Sequence, residues 1–206
     1  HQIDECCWIK GSWPVSAIGD GESSNRPDNC SQNLANYSIE YTFADGGKAV
    51  VESVEPFATF IQGGKRAAQF SGAVHRATVH TYKGKDLDKA QIDWAAAAEP
   101  CNPWQAEWED LLKAIREDSP YNEAHRAGEA DVVALMGRIA THTGQYVTWD
   151  QAMNSEFQFV KDIDHMNFDT PAPIHEGPDG IYAAPQPAGV KEWALDVHLT
   201  ETGAAQ

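Results

Sequence analysis

Tyr37-Ser38-Ile39-Glu40-Tyr41-Thr42-Phe43, then Ala44-Asp45-Gly46-Gly47, then Lys48-Ala49-Val50-Val51-Glu52-Ser53-Val54, is the stretch on which the fold turns. Tyr37, Ile39, Tyr41 and Phe43 alternate with Ser38, Glu40 and Thr42. That period of two sends successive side chains to opposite faces of a strand. Asp-Gly-Gly after such a run marks a hairpin turn. The stretch therefore predicts an antiparallel hairpin with one buried face, whose other face meets solvent or a partner.

Downstream, Gly63-Gly64-Lys65-Arg66 reads as a second turn. It lacks the Gly-Lys-Ser/Thr ending of a phosphate cradle, and no helix pattern follows it. Ala68 to Gly72 and the β-branched run from Val74 to Tyr82 extend the strand-like region. From Gly84 to Asn102 the signal fades, and Asp93 to Ala98 is Ala-rich without a period. Upstream, Trp13 to Gly19 predicts a strand. Asp20 to Asn36, rich in Gly, Ser, Asn and Pro, predicts a surface loop.

Helical periodicity then takes over. Asn102 is a candidate cap with Pro103 at the first helical position. Trp104, Trp108, Leu111, Leu112 and Ile115 form an apolar stripe at helical spacing, predicted to face the core. Ser119-Pro120 ends it. A second helix is expected from Asn122 to Thr143, stopped by Gly144, with a small-residue contact side of Ala127, Ala130, Ala134, Gly137 and Ala140. Thr148-Trp149-Asp150-Gln151 is a capping box opening a short helix. Strands followed by helices suggest an α+β fold. The expected body is 1–161. Residues 162–206 hold Pro171, Pro173, Pro178, Pro185 and Pro187 and predict an extended arm, anchored by Ile174, Ile181, Tyr182 and Trp193.

The first eleven residues, His1-Gln2-Ile3-Asp4-Glu5-Cys6-Cys7-Trp8-Ile9-Lys10-Gly11, predict a short helix ended by Gly11. Ile3, Cys6 and Cys7 make its apolar stripe. His1, Asp4 and Trp8 share another side, so an imidazole stacks beside a carboxylate, the minimum kit for acid–base chemistry. An amphipathic helix end with a solvated His fits the same spacing.

The balance of 31 Asp+Glu against 15 Lys+Arg, net charge -16, argues against nucleic acid or an anionic membrane as partner. No apolar run reaches the length of a membrane span, which points to a soluble fragment or processed piece. The chain does not start with Met. Cys6 and Cys7 are adjacent and form no zinc pattern, so they read as small buried hydrophobes. A Cys30–Cys101 bridge, and with it the redox compartment, stays open. Asp162, Asp164 and His165 read as a solvated turn rather than a metal site. His75 and His80 would point to opposite faces of a strand. Neither group makes a metal site the expectation. His142 reads as a satisfied or solvent-facing histidine.

His1-Gln2-Ile3-Asp4, Trp8, Gly11 and Pro14-Val15 together resemble the start of the second half of the glucose–fructose oxidoreductase / inositol dehydrogenase / MocA family. Trp104 to Arg116, Pro120-Tyr121-Asn122-Glu123-Ala124, Met136 to Gly144, Thr148-Trp149-Asp150 and Phe168 to Pro173 are similar to further family segments in the same order. The resemblance covers nearly the whole chain and implies an open, mainly antiparallel sheet with helices on one face. It implies the substrate-binding and oligomerisation domain of an NAD- or NADP-dependent sugar or cyclitol oxidoreductase, without the N-terminal dinucleotide-binding domain. It places His1 and Asp4 in catalysis and Glu107, Trp108 and Arg126 at the substrate, though an exposed carboxylate and a core Trp fit Glu107 and Trp108 equally well. It also implies a homo-oligomer through the open sheet face, no metal, and cofactor bound mainly outside this chain. Redox-assisted glycoside cleavage occurs within the same family, and a non-catalytic assembly domain also fits. Export is slightly favoured over the cytoplasm.

Overall fold

The computed structural model describes residues 1–23, 34–53, 58–71, 79–97, 102–155, 163–171 and 178. Cys30, Cys101, His75, Asp162 and the arm anchors Ile174, Ile181, Tyr182 and Trp193 lie outside them. The fold is α+β with two open four-stranded antiparallel sheets. The chain divides into two units, His1–Gly11 with Val54–Ala130, and Ser12–Ser53 with Asp131–Gln206.

The second of these units contains the hairpin. Its strands are β1 (Pro14–Ser23), β2 (Leu34–Phe43) and β3 (Lys48–Glu52), joined by β8 (Val147–Thr148) in the order β3-β2-β1-β8. Ile39, Tyr41 and Phe43 are buried, as their alternation predicts, and Tyr37 at the outer end is exposed. The turn closes through Phe43 N–H to Gly47 O at 2.8 Å, with Gly46 at φ 79°.

The last part of helix α3 (Ala124–Thr143) covers the buried face. Tyr41 Oη donates to Val133 O at 3.0 Å. Gly137, one turn later, leaves room for the ring: a Cβ there would lie 2.1 Å from Tyr41 Oη and 2.8 Å from Ile39 Cδ1. Gly19 on β1 makes the matching approach, since its Cβ would lie 2.8 Å from Thr141 Cγ2. Val133, Met136, Gly137 and Ala140 form the buried seam. Of the small residues expected at this contact, Gly137 and Ala140 are in it, whereas Ala127 and Ala134 are exposed. Ala134 stands one residue off the seam, and one residue is more than a quarter turn of helix. The predicted stop is in place, Gly144 at φ 67° donating to Ala140 O at 2.8 Å. Helix α4 (Trp149–Met153) opens on the full Thr148–Gln151 capping box, and Trp149 stacks on Trp13 at 6.2 Å.

Of the loop expected over 20–36, residues 20–23 and 34–36 are strand residues and the others lie outside the described residues. β1 continues to Ser23 and β2 begins at Leu34. Gly21 is a strand residue, and its Cβ would lie 2.5 Å from Leu34 Cδ1. Glycine here marks close approach within a sheet rather than a turn.

In the other unit, β4 (Ala58–Gln62), β5 (Ala67–Ser71), β6 (Val79–Tyr82) and β7 (Ile92–Ala95) pair in sequence order. Residues 63–66 form the predicted plain turn, closed by Gly63 N–H to Arg66 O at 2.8 Å. β7 falls in the Ala-rich segment that carries no period, and it is mostly exposed. Helix α1 (Gln2–Lys10) packs on β4. Helix α2 (Pro103–Arg116) starts on Asn102, whose Oδ1 accepts from Trp104 N–H at 2.9 Å. Its stripe does not face the core as predicted. Ala114 is buried and Leu111 half-buried, whereas Trp104, Trp108, Leu112 and Ile115 are exposed. Periodicity identifies an apolar face without stating what covers it.

Two consequences are measurable. Gly137→Ala should lower stability by about 1–3 kcal/mol through overpacking. The loss should shrink markedly when Tyr41 is also Ala, because the two groups share one space; paired urea midpoints decide it. His142 is buried, and burial first, then the Arg138 charge, lower its pKa below 6.5. On acidification the unfolded chain takes up that proton first. Stability contributed by neutral His142 is present above pH 6.5 and declines below it. His142→Gln should flatten this part of the pH–stability curve.

Candidate functional site

The five residues singled out from the sequence, His1, Asp4, Glu107, Trp108 and Arg126, all fall in the unit built from 1–11 and 54–130. Helix α1 is short, and its ends are well made. Glu5 N–H donates to His1 O at 2.9 Å, and Gly11, at φ 69°, donates to Cys7 O and Trp8 O. Asp4 and Glu5 lie in the first turn and Lys10 in the last, matching the helix dipole.

Two side-chain contacts fix α1 in place. Arg126 Nη2 on α3 donates to Asp4 Oδ1 at 2.6 Å and reaches Asp4 O at 3.4 Å. Thr59 Oγ1 on β4 donates to Glu5 Oε2 at 2.8 Å, and Thr59 is buried. Together they anchor consecutive residues of α1 to a helix and a strand. Cys7 is buried. Burial first, then the charges of Cys6 and Asp4, push its thiol up to about 12, with Arg126 working the other way. Burial and then Glu5 raise Cys6 as well. Both cysteines are free and held as thiols, so neither is an activated nucleophile.

His1 caps α1 without a side-chain hydrogen bond and is exposed. The carboxylate that helical spacing puts on its side, Asp4, is engaged by Arg126. The structure thus brings Asp4 and Arg126 together. Glu107 and Trp108 stand exposed on α2. Thr59 escaped sequence reading, since nothing local to it signals a partner 54 residues away.

The sheets bear on cofactor chemistry. A dinucleotide cradle needs a parallel β–α–β unit with a Gly-rich turn at a helix N-terminus. Both sheets here pair antiparallel, so the described residues do not form one. Among them no group of three or more His, Cys, Asp or Glu is placed to hold a metal. No described helix is long and apolar enough to cross a membrane.

No family model matches the sequence, and no curated protein is significantly similar to it. Solved structures do share the fold. The aldose–aldose oxidoreductase of Caulobacter crescentus, solved with glycerol, aligns at TM-score 0.57 and 15% identity over 71% of this chain and 44% of its own. A putative NADPH-dependent oxidoreductase of Desulfitobacterium hafniense aligns at 0.54 and 16%, over 73% of this chain and 46% of its own. The UDP-N-acetylglucosamine 3-dehydrogenase of Acidithiobacillus ferrooxidans aligns at 0.50 and 19%, over 68% and 46%. The chain spans less than half the length of these proteins. In fold it corresponds to a single domain of such oxidoreductases, in agreement with the resemblance to the glucose–fructose oxidoreductase / inositol dehydrogenase / MocA family read in its sequence.

Proposed function

We propose that this chain is the substrate-binding and oligomerisation half of an NAD(P)-dependent sugar or cyclitol oxidoreductase. The observation that carries the reading is the fold shared with an aldose–aldose oxidoreductase and a nucleotide-sugar dehydrogenase, over less than half of either. The His1–Asp4 spacing at the head of α1 supports it.

In this reading the nicotinamide is held by a dinucleotide-binding domain outside the described residues and supplies hydride chemistry there. The residues of this chain bind and orient the carbohydrate and handle the proton. His1 accepts the carbinol hydroxyl proton as the carbon is oxidised, a task suited to an imidazole. Asp4, anchored by Arg126, accepts a neighbouring sugar hydroxyl. Its fixed position matters because misplacing a substrate contact costs rate steeply. Glu107 and Trp108, both exposed on α2, are further candidates for lining the substrate pocket. Oligomer contact runs through the outer face of the β3-β2-β1-β8 sheet. There Ile18, Glu40 and Val50 form one cross-strand row with both apolar members exposed.

The reading is tested on the natural protein that carries this chain, with free sugars, cyclitols and glycosides as substrates. Nicotinamide reduction with substrate oxidation supports it. Glycoside cleavage without net nicotinamide turnover would assign the redox-assisted variant of the chemistry instead. His1→Ala should lower kcat about 10²–10⁴-fold. Asp4→Asn should act mainly on KM while changing stability by only about 0–1 kcal/mol, as expected for a half-exposed ion pair. The 206-residue chain alone should show no NAD or NADP binding by calorimetry. Tight binding there, or an upstream reading frame that encodes no strand–Gly-rich turn–helix unit, would sink the proposal.

A further inference from the structure

Trp8 shares a side of α1 with His1 and Asp4, and the proton and hydroxyl chemistry assigned to those two leaves it without a task. It is 68% exposed. An exposed aromatic alone carries no meaning; the neighbours of this one give it meaning. In an ideal helix Trp8 falls about 20° from His1 and about 40° from Asp4 around the axis, and about 6 Å beyond Asp4 along it. Helical side chains lean toward the N-terminus, so the indole reaches back over the turn that carries Asp4. The fold does not use this ring. Helix α1 is held instead by buried Cys7, by Glu5 on Thr59 and by Asp4 on Arg126.

Asp4 is held with one oxygen to spare. Arg126 takes Oδ1 at 2.6 Å, and Oδ2 has no hydrogen-bond partner among the described residues. A flat aromatic face thus stands beside a fixed acceptor. Those two groups recognise opposite aspects of a ring polyol. Hydroxyls at the edge of the ring donate to the carboxylate. Axial C–H bonds, slightly positive, lie on the electron-rich face of the indole. Resting on the oxidoreductase reading, we propose that Trp8 is the platform on which the substrate ring stacks. It selects cyclic polyols, pyranoses or cyclitols, that present an unbroken face of axial hydrogens. The ring lies on Trp8, an edge hydroxyl donates to Asp4 Oδ2, and the carbinol to be oxidised is the one turned toward His1. Stacking holds reactant and transition state alike, so Trp8 acts on KM rather than on kcat.

The test follows nicotinamide reduction by the natural protein that carries this chain. Its substrates are a gluco-configured pyranose, an all-equatorial cyclitol and an altro-configured pyranose, whose axial hydroxyls interrupt both faces. A ring that is not turned over is read as a competitive inhibitor. The wild type should prefer the first two in KM or inhibition constant, and whichever of them is favoured names the source of the ring. Trp8→Ala should raise KM about tenfold for the favoured ring, leave kcat nearly unchanged and abolish the preference over the altro ring. Trp8→Phe, which keeps an aromatic face, should recover most of the loss. Trp94→Ala, removing a tryptophan 54% exposed on β7, should change none of these. Trp8 is exposed, so the fold should persist, which the urea midpoint verifies. Absence of turnover with every polyol would overturn the oxidoreductase reading, and the stacking role with it. Turnover with an unchanged KM in Trp8→Ala would overturn the stacking role alone. So would a loss confined to kcat, an equal loss from Trp94→Ala, or a wild type indifferent to the altro ring.

Discussion

Contact between Tyr41 and the Val133–Gly137 turn of α3 is the constraint on which the hairpin unit rests. A tyrosine ring brought this close to a helix requires a residue without a side chain opposite it, and a hydroxyl buried there requires an acceptor. Gly137 meets the first need and the Val133 carbonyl the second. The hydrogen bond fixes where along α3 the ring lies, so it sets helix register as well as distance. Gly19 makes the same kind of approach to Thr141 from the neighbouring strand. Helix and sheet are thus held at two close points, and the buried seam of Val133, Met136 and Ala140 runs beside them.

In the other unit the anchoring is polar. Helix α1 carries little buried apolar surface beyond Cys7, yet its first turn is tied at Asp4 and at Glu5. Half-exposed ion pairs add little stability, so the Asp4–Arg126 contact is better understood as a positioning device. It sets the direction in which α1 presents the residues of its outward side. Glu5 is the firmer tether, since its partner Thr59 is buried and loss of the acceptor would strand that hydroxyl.

What the sequence disclosed follows from the range of the forces involved. The hairpin, the Asn102 cap, the Thr148–Gln151 box and the Gly144 stop are local devices, complete within a few residues, and each is present where its residues predict. Gly21 of β1 misled because the same residue serves turns and close strand packing, and only its neighbour Leu34 distinguishes the two. β7 stayed hidden because an exposed edge strand has no buried face to impose a period. The outward aim of α2 was illegible for a related reason: its stripe looks the same whether it is covered by its own chain or by a partner. Asp4 and Arg126 were each singled out, but their pairing spans 122 residues and leaves no local trace.

With 31 Asp+Glu against 15 Lys+Arg, most carboxylates here have no cation to meet, so those that do are informative. Asp93 accepts from Thr81 and pairs with Arg66, and the Thr81 hydrogen bond leads in holding its carboxyl below the usual range. Glu40 meets Lys48 at 2.7 Å and Asp4 meets Arg126. Sheet faces and α1 therefore use the scarce cations to fix geometry.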